Sequence, residues 1–337
     1  MKRVLLTGAS GFVGSHVLRH LLVNTDWEIV CLVSFKHRGI TDRIRYSTSG
    51  INDADKRIKV LVHDLVAPIS PVLDYEIGHI DYVFNVASDS HVDRSITHPA
   101  PFIENNVALI CNMLDWARER PFLDKFIQVS TDEVYGPAPR GHKHKEWEPF
   151  FPSNPYSASK AAQESIAFSY WRTYGVPVII TNTMNIIGEM QDPEKYVPMI
   201  IKKVMAGDVV KIHASKSGEI GSRYYLHARN QADALLFVAR RSPVQMYPSQ
   251  TLPSKYHVVG EKEVNNLELA QMVAEYVGKK LRYDLVDYHT SRPGHDLRYA
   301  LDGDKIASEG WKAPLSLEES LEKTVRWTLK HKEWLNL

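Results

Sequence analysis

Short apolar runs alternate with helical patterns along the first half of the chain. The runs are rich in Val, Ile and Leu and apolar at nearly every position, which predicts strands buried on both faces of a parallel sheet. The predicted strands are 4–6, 28–33, 59–65, 81–87, 126–129 and 178–180, and the helical patterns reach about Leu22 after the first strand and cover 100–119 and 156–174. Strands that alternate with helices in this way predict an α/β fold.

The second half of the chain alternates less regularly. Segment 137–155 holds five prolines, which predicts a loop without regular structure. Helical patterns follow at 197–206, 230–240, 266–277 and 316–332, with one strand pattern at 256–260. We predict two lobes, the first made of 1–183 with about 225–260 and the second, smaller and mixed α/β, made of about 184–224 with 261–337.

A glycine-rich turn follows the first predicted strand and opens the first helix. Gly8 permits a tight turn, Gly11 lets the backbone approach a phosphate, and Gly14 lets the helix pack closely on the strand. The N-terminus of the helix then faces the phosphates. This order of strand, turn and helix predicts a dinucleotide site in a doubly wound, Rossmann-type parallel sheet. The turn residues expected at the cofactor are Gly8, Ser10, Gly11, Phe12, Val13 and Gly14.

Polar residues follow the next strands where a bound dinucleotide would lie. After the second strand come Ser34, Lys36 and Arg38, without an acidic residue. An acidic side chain there would bind the ribose of NAD, whereas a hydroxyl and basic groups suit the 2′-phosphate of NADP. A solvated basic loop is the alternative. Further cofactor contacts are expected from Asp64, which would reach the adenine amino group, and from Leu65, Val86, Ala87 and Ser88.

Composition excludes several classes of protein. A length of 337 residues allows a large core. The net charge of +1 gives no reason to expect a nucleic acid or an acidic membrane surface as partner. Two cysteines, Cys31 and Cys111, favour a reducing compartment. The sequence predicts no signal peptide, spanning helix, internal repeat or metal-ligand spacing, so we expect a cytoplasmic protein without a metal.

A hydroxyl and two adjacent carboxyl groups, those of Thr131, Asp132 and Glu133, follow the apolar run 126–129. They stand at the carboxyl end of a predicted parallel strand, which is the edge where open α/β sheets bind ligands. Like charges disfavour joint ionisation, so we expect one carboxyl to be protonated beside an ionised neighbour. A surface turn whose Asp caps the next helix is the alternative.

Tyr156 and Lys160 lie four residues apart at the start of a predicted helix, so they share one face. An ammonium near the phenol would depress the phenol pKa, normally about 10, and make it a base near neutrality. An ordinary surface pair is the alternative for so short a motif. Its position after a dinucleotide turn and after Thr131 favours the catalytic interpretation.

Polar residues elsewhere are candidates for substrate contacts. Asn106 lies inside a helix, where Asn is a poor helix former. Arg223 and Arg292 offer bidentate bonds that suit a diphosphate, with surface arginine as the alternative for either alone. The full set of candidates is Ser90, His91, Asn106, Asn185, Glu194, Lys195, Arg223, Arg292 and His295.

Together these residues resemble the extended short-chain dehydrogenase/reductase family, and within it the nucleotide-sugar 4,6-dehydratases. The general family motifs are TGASGFVG at 7–14, the Thr131 hydroxyl, and Tyr156 with Lys160. The motifs that resemble dTDP-glucose 4,6-dehydratases are SHVDRS at 90–95, STDEVYG at 130–136, PEK at 193–195 and RPGHDLRYALD at 292–302. The resemblance covers roughly residues 3–332.

The resemblance implies a mechanism. A tightly bound NAD or NADP, with NAD favoured by the family, is reduced and reoxidised in each turnover. Tyr156, assisted by Lys160 and Thr131, takes the proton of the sugar 4-hydroxyl; Glu133 removes the C5 proton, and Asp132 protonates the departing 6-hydroxyl. The product is a nucleotide-linked 4-keto-6-deoxyhexose. The resemblance also implies a homodimer through a four-helix bundle built from the helices of Asn106 and Tyr156.

Two alternatives stay open at this point. A C4-epimerase or decarboxylase of the same fold would use Tyr156 and Lys160 without the carboxyl pair. A catalytically silent subunit would bind a dinucleotide but would use neither the Tyr-Lys pair nor the carboxyl pair for catalysis. The nucleotide base (dTDP, UDP or GDP) and the hexose also stay open.

Overall fold

Short segments rich in Val and Ile form the strands of the protein. The computed structural model describes residues 1–36, 39–287 and 296–336. Within these ranges the strands are β1 Arg3–Thr7, β2 Glu28–Val33, β3 Ile58–Val62, β4 Tyr82–Asn85, β5 Lys125–Thr131, β6 Val178–Thr183, β7 Asn185–Ile187, β8 Val209–Ala214, β9 Ser222–His227, β10 Ser254–Val258, β11 Glu263–Asn265 and β12 Arg282–Asp287.

Helices connect most of these strands. They are α1 Phe12–Asn24, α2 Thr41–Thr48, α3 Ala54–Arg57, α4 Pro71–Ile77, α5 Val92–Thr97, α6 Pro99–Arg118, α7 Pro155–Tyr174, α8 Tyr196–Ala206, α9 Ala228–Arg241, α10 Asn266–Val277, α11 Asp304–Ser308 and α12 Leu317–Lys330. Two 3-10 helices span Asp132–Tyr135 and Lys332–Asn336. In the described part of the chain no helix is long and apolar enough to cross a membrane.

Seven strands form one parallel sheet in the order β10-β6-β5-β4-β1-β2-β3. Successive residues of β1 point to opposite faces, so Val4 and Leu6 join one hydrophobic core and Leu5 joins the other. Helices α1 and α9 pack in the first core, and α6 and α7 pack in the second. This architecture confirms the predicted doubly wound, Rossmann-type sheet.

The strand order reverses between β1 and β4, and Thr7 ties the ends of these two strands together. The Thr7 hydroxyl donates to Asn85 Oδ1 over 2.8 Å and accepts from the backbone N–H groups of Val86 and Ala87 over 3.0 Å each. Such a reversal creates the crevice where open α/β sheets bind ligands. Strand β5 ends with Thr131 at the same edge of the sheet.

The smaller lobe is a mixed α/β arrangement. Strand β9 pairs with β7 in parallel and with β11 in antiparallel orientation, while β8 and β12 form a separate parallel pair. Helices α8, α10 and α12 enclose its core around Ile200, Val273 and Leu321. The chain returns to the large sheet through α9 and β10, because β10 pairs with β6. The division at 183/184, 224/225 and 260/261 stays a prediction.

Some predicted elements need correction. Helix α5 begins at Val92, in a segment for which no helix was predicted, because the His91 ring caps it by accepting the Arg94 N–H. The third strand was predicted to reach residue 65 but ends at Val62. Asp64 and Leu65 therefore lie in the segment after the strand. Strands β7, β8, β9, β11 and β12 were not predicted. Several of them are only three residues long or carry charged side chains, and both features weaken the strand pattern.

Candidate active site

The turn after β1 fits a bound diphosphate. Gly8 has a φ of +73°, and a Cβ there would approach the Ala87 Cα to 3.0 Å. A Cβ on Gly14 would lie 2.1 Å from the Gly8 carbonyl oxygen, so α1 packs directly on the turn. Gly11 is the N-cap of α1 and has no side chain to cover the first N–H groups of the helix. These features suit the pyrophosphate of a dinucleotide. Ser10, Phe12 and Val13 belong to the same turn and first helical residues.

The region after β2 does not present a free basic side chain at Lys36. The Lys36 ammonium is hydrogen-bonded to the Asp64 carboxylate, and this bond lowers the pKa of Asp64. The backbone N–H of Lys36 donates to Ser34 Oγ over 3.3 Å. Arg38 lies outside the described residues. Lys36 and Asp64, predicted separately for a ribose phosphate and for adenine, therefore form one ion pair.

Asp132 is buried at the first position after β5, with 4% of its surface exposed. The Thr131 hydroxyl donates to Asp132 Oδ1 over 3.0 Å. Among the described residues, no hydrogen-bond partner lies against the buried Oδ2. Burial, and next the charge of Glu133, raise the pKa of Asp132 to about 7. Burial thus raises this pKa more than the repulsion that the sequence pattern emphasised, and about half of the carboxyl is protonated near neutral pH.

Glu133 has a different partner. The Asn154 side-chain amide donates to Glu133 Oε2 over 3.1 Å, and the Asn154 Oδ1 caps α7 by accepting the Ser157 N–H over 2.9 Å. Burial raises the pKa of Glu133, while the Asn154 hydrogen bond and the charge of Arg223 oppose this rise. Asn154 therefore connects the second carboxyl group to the start of α7. Sequence reasoning missed it, although an Asn before an N1 proline is a helix-start signal.

Lys160 and Tyr156 share a face of α7 but have different partners. The buried Lys160 ammonium donates to the Val129 carbonyl over 2.8 Å and to Gln163 Oε1 over 2.6 Å, and burial lowers the pKa of Lys160 to about 8. Burial and the charge of Glu133 raise the pKa of Tyr156, and the Thr131 hydrogen bond only partly offsets them. The expected depression of the phenol pKa by Lys160 does not occur in this structure, because the ammonium is bonded to β5 instead.

Asn106 is fully buried and joins three elements. Its amide donates to the Asp89 carbonyl over 3.0 Å and to Ser159 Oγ over 2.9 Å, and its Oδ1 accepts the Asp89 N–H over 2.8 Å. The backbone carbonyl of Asn106 also accepts a hydrogen bond from Gln163 Nε2, over 2.7 Å. These partners occupy the Asn106 amide, and its contact with substrate stays a prediction. Asn106 fixes the loop after β4 against α6 and α7, because its amide is already occupied.

Other buried polar residues behind the site were missed by sequence reasoning. Ser95 accepts the Tyr156 N–H over 3.1 Å, and Gln128 donates to Gln163 over 3.1 Å. Gln163 thereby links β5, α6 and Lys160. No sequence signal marks these residues, since their roles depend on which helices pack together.

Four predicted substrate residues come together where the two lobes meet. His91 Nε2 lies 3.5 Å from Glu194 Oε1, and Lys195 donates to the Ser90 carbonyl over 3.3 Å. Ser90 and His91 follow β4 of the large sheet, whereas Glu194 and Lys195 immediately precede α8 of the smaller lobe. These contacts close one end of the crevice above the carboxyl ends of the strands.

The remaining candidates do not assemble into a described diphosphate site. Arg223 is 4% exposed, and its guanidinium donates to the carbonyls of Ser222, Asp296 and Leu297 and lies 4.6 Å above the Tyr299 ring. Asn185 is exposed at the start of β7. Arg292 and His295 lie outside the described residues. The proposed pairing of Arg223 with Arg292 therefore stays a prediction.

The glycine turn, the carboxyl pair and the Tyr-Lys helix define an enzyme of the extended short-chain dehydrogenase/reductase class. A sequence model of the GDP-mannose 4,6 dehydratase family matches residues 5–324. The chain therefore belongs to that family. This confirms the prediction of a nucleotide-sugar 4,6-dehydratase that uses an NAD-type dinucleotide.

Individual proteins of known identity support this assignment over the whole chain. The chain is 34% identical to a dTDP-glucose 4,6-dehydratase of Shigella flexneri, covering 99% of this chain and 94% of that protein. It is also 34% identical to the low-salt glycan biosynthesis protein Agl12 of Haloferax volcanii, covering 97% and 98%. Among solved structures, DesIV, a dTDP-glucose 4,6-dehydratase from Streptomyces venezuelae with NAD and TYD bound, superimposes with a TM-score of 0.85 at 31% identity and 98% coverage of both chains.

Proposed function

We propose that this enzyme converts dTDP-glucose to a dTDP-4-keto-6-deoxyhexose with an NAD that stays bound through turnover. The observation that carries the proposal is the buried Asp132, whose pKa of about 7 differs from that of an ordinary carboxyl and which sits beside Glu133 and Thr131. Elimination of water needs a proton donor and a base close together, and two neighbouring carboxyls with separate partners supply both. The relatives named as dTDP-glucose 4,6-dehydratases support the choice of nucleotide.

Asp132 and Glu133 have distinct roles in this proposal. Asp132 is protonated near neutral pH and gives its proton from Oδ2 to the departing 6-hydroxyl of the sugar. Glu133 takes the proton from C5, and Asn154 holds its carboxylate in place. The two groups differ because Thr131 bonds the first and Asn154 bonds the second.

Tyr156 and Thr131 act on the 4-hydroxyl of the sugar. A dinucleotide held by the turn of Gly8, Gly11 and Gly14 would supply the acceptor for the hydride of the sugar and would return that hydride later in the turnover. Tyr156 takes the proton of the 4-hydroxyl, and Thr131, which interacts with the phenol and opposes the rise of its pKa, steadies the same oxygen. Because burial and Glu133 hold the phenol neutral, this role needs a positive charge beside the ring in the working complex. Lys160, one helical turn away, is the residue that supplies it.

We propose NAD in preference to NADP, on the basis of the described residues after β2. A 2′-phosphate needs basic side chains, but the charge of Lys36 is already balanced by Asp64. Mass spectrometry of the dinucleotide released from purified enzyme tests this point. NAD as the released species supports the proposal, and NADP contradicts it. Release only after denaturation supports tight binding.

Helices α6 and α7 provide the surface for a homodimer. Half-buried apolar or small residues recur at every fourth position on each helix, which is the spacing of a continuous helix face. The residues are Ile103, Val107 and Cys111 on α6, and Ala158, Ala162 and Ile166 on α7. Two copies that pair these faces would form the four-helix bundle expected from the sequence. We also propose action in the reducing cytoplasm, which the free thiols of Cys31 and Cys111 support.

Substrate trials test the proposed function. Purified enzyme is incubated separately with dTDP-glucose, UDP-glucose and GDP-mannose, and products are analysed by mass and by absorbance in strong alkali. We expect a product one water lighter, which absorbs in alkali, from dTDP-glucose alone. A product of unchanged mass would favour a C4-epimerase, and turnover of GDP-mannose would overturn the nucleotide assignment. No turnover with cofactor still bound would favour a silent subunit.

A further inference from the structure

Two histidines and a glutamate converge in the loop between the 3-10 helix Asp132–Tyr135 and α7. His142 Nε2 lies 2.9 Å and His144 Nδ1 lies 2.7 Å from the same Glu148 carboxylate oxygen, Oε2. The three atoms lie within 4.8 Å of one another. Two imidazole nitrogens and a carboxylate oxygen are ligands that Zn²⁺ prefers, and three protein ligands leave one position for water.

The backbone that carries both histidines is anchored to the segment that follows residue 296. The His144 N–H donates to the Ala300 carbonyl over 2.9 Å, and the Asp302 N–H donates to the His144 carbonyl over 2.8 Å. Arg298, paired with Glu263, donates to the His142 carbonyl over 2.7 Å. The backbone that positions the two rings is therefore fixed, and rotations of the side chains adjust the three ligand atoms.

Neighbouring groups also orient the ligands. The Lys145 N–H donates to Glu148 Oε1 over 3.0 Å, which leaves Oε2 directed at the two histidines. The His144 ring stacks on Tyr135 with 5.4 Å between ring centres and 15° between ring planes. Such outer contacts fix the rotamers of metal ligands and support their affinity. His142 is 44% exposed, so an ion has access from solvent.

We propose that His142 Nε2, His144 Nδ1 and Glu148 Oε2 form a structural site for a divalent transition metal, with Zn²⁺ as the best fit and water as fourth ligand. Bonds of about 2.0–2.1 Å in a tetrahedral site place ligand atoms about 3.3–3.4 Å apart. The Glu148 oxygen therefore retreats by about half an ångström from each ring, and the two ring nitrogens, up to 4.8 Å apart, approach each other by about 1.4 Å when the ion enters. The loop spacing H-x-H-x-x-x-E was not recognised as a metal motif from the sequence.

The site would fasten the loop that spans the two halves of the active site. The 3-10 helix before it carries Asp132 and Glu133, and the helix after it carries Tyr156 and Lys160. The ligand atoms belong to none of these residues, but His144 packs on Tyr135, the last residue of the 3-10 helix. A metal here would therefore stabilise the loop without taking part in the chemistry.

Metal titration of the tag-free enzyme, stripped with a chelator and holding its dinucleotide, tests the proposal. Zn²⁺ affinity is measured by calorimetry, and Co²⁺ serves as a probe because its visible spectrum distinguishes four-coordinate from six-coordinate sites. We expect one ion per chain, a four-coordinate Co²⁺ spectrum and a Tm that rises with Zn²⁺. Because ligand loss costs at least as much as loss of an outer contact, His142→Ala and Glu148→Gln are expected to weaken Zn²⁺ binding at least about tenfold.

His79→Ala is the matched control. His79 is 61% exposed and lies 3.7 Å from Asp81, so it is also a histidine beside a carboxylate, outside the proposed site. We expect this variant to bind Zn²⁺ like wild type. Absence of Zn²⁺ binding, equal affinity in wild type and Glu148→Gln, or a six-coordinate Co²⁺ spectrum would overturn the proposal. Absence of Zn²⁺ binding would mean that the two histidines and Glu148 hold the loop by hydrogen bonds alone.

Discussion

Adjacent carboxyl groups lie in different surroundings at the end of β5. The Thr131 hydroxyl donates to Asp132, and the Asn154 amide donates to Glu133. Burial raises the pKa of both groups, and these two hydrogen bonds and the charge of Arg223 oppose the rise. Burial prevails at Asp132, and a pKa of about 7 leaves about half of this carboxyl protonated at neutral pH.

The elimination step is expected to slow as pH rises through about 7. In the proposed mechanism Asp132 acts as an acid, so deprotonation removes the active form. C4 oxidation, followed by cofactor absorbance in a single turnover, does not share this dependence. Asp132→Asn is expected to lower the elimination rate by about 10²–10⁴-fold while oxidation persists. An elimination rate that stays constant from about pH 6 to about pH 9 would contradict the assignment.

The same residue is expected to lower stability at neutral and alkaline pH. The pKa of Asp132 is about 7 in the folded chain against 3.8 for an ordinary Asp, so its stabilising contribution is complete below about pH 4 and is lost as pH rises through 7. Asp132→Asn removes the free-energy cost of ionising a buried carboxyl group. We expect the variant to gain unfolding free energy at about pH 8, by up to ~4 kcal/mol at ~1.36 kcal/mol per unit of pKa, and little at about pH 4.

Urea unfolding at both pH values measures this difference. Asp284→Asn, at an exposed position on β12, serves as the control and is expected to show no such pH-dependent gain. A gain of equal size in both variants would mean that burial of Asp132 is not the cause. The expected pattern, greater stability with lost activity, is typical of residues kept for function.

At the scale of elements, the N-terminus of α7, the helix that carries Tyr156 and Lys160, is connected to the carboxyl pair. Asn154 caps the helix and bonds Glu133 at the same time. Asn154→Ala is expected to cost about 1 kcal/mol of stability through the lost cap. It should also reduce the elimination rate, because Glu133 loses the hydrogen bond that opposes the rise of its pKa.

Asn265 provides a matched control for this prediction. It caps α10 by accepting the Glu268 N–H over 2.8 Å, and α10 lies in the smaller lobe. Asn265→Ala should therefore lose a similar stability in denaturant unfolding and retain full turnover. Equal activity of the two variants would show that Asn154 serves the helix alone.

Much of this element could be predicted from the sequence, because its signals are local. The buried strand β5, the hydroxyl and carboxyls after it, and the i, i+4 spacing of Tyr156 and Lys160 depend on neighbours in the chain. The partner of Lys160 could not be predicted in the same way. Its ammonium reaches the Val129 carbonyl, 31 residues away in sequence, and that contact depends on how α7 packs against the sheet.

Asn106 is a second residue whose role depends on tertiary packing and could not be predicted from the sequence. An Asn inside a helix was correctly recognised as unusual, but the interpretation as a substrate contact ignored burial. Its amide bonds a residue 17 positions away and another 53 positions away, so its role depends on tertiary packing. The short strands of the smaller lobe were missed for a related reason. Three-residue strands such as β7 and β11 form because partner strands are present, and their own patterns are too short to predict them.

At the scale of the whole molecule, the proposed active site draws on both predicted lobes. In this proposal the large sheet supplies the cofactor turn and the carboxyl pair, and the smaller lobe supplies Glu194, Lys195 and Arg223. The contacts of Lys195 with Ser90 and of His91 with Glu194 cross between them. A substrate that carries both a sugar and a diphosphate is long enough to contact residues of both lobes.

The proposed dimer places a second copy directly behind the catalytic groups. Val107 follows Asn106 on α6, and Ala158 precedes Ser159 on α7, so the residues that fix the loop after β4 adjoin the apolar faces of both helices. Val107→Glu would bury a charge between two such faces, which is unfavourable without a partner. We therefore expect sedimentation to show a dimer for wild type and a monomer for Val107→Glu.

Val72→Glu is the control, because Val72 is 75% exposed on α4, away from these faces, and its replacement should leave the dimer intact. If separation of the copies also loosens α6 against α7, the Val107→Glu monomer should lose turnover along with assembly. A wild-type monomer, or a Val107→Glu variant that stays dimeric at the same concentration, would show that α6 and α7 do not form the interface.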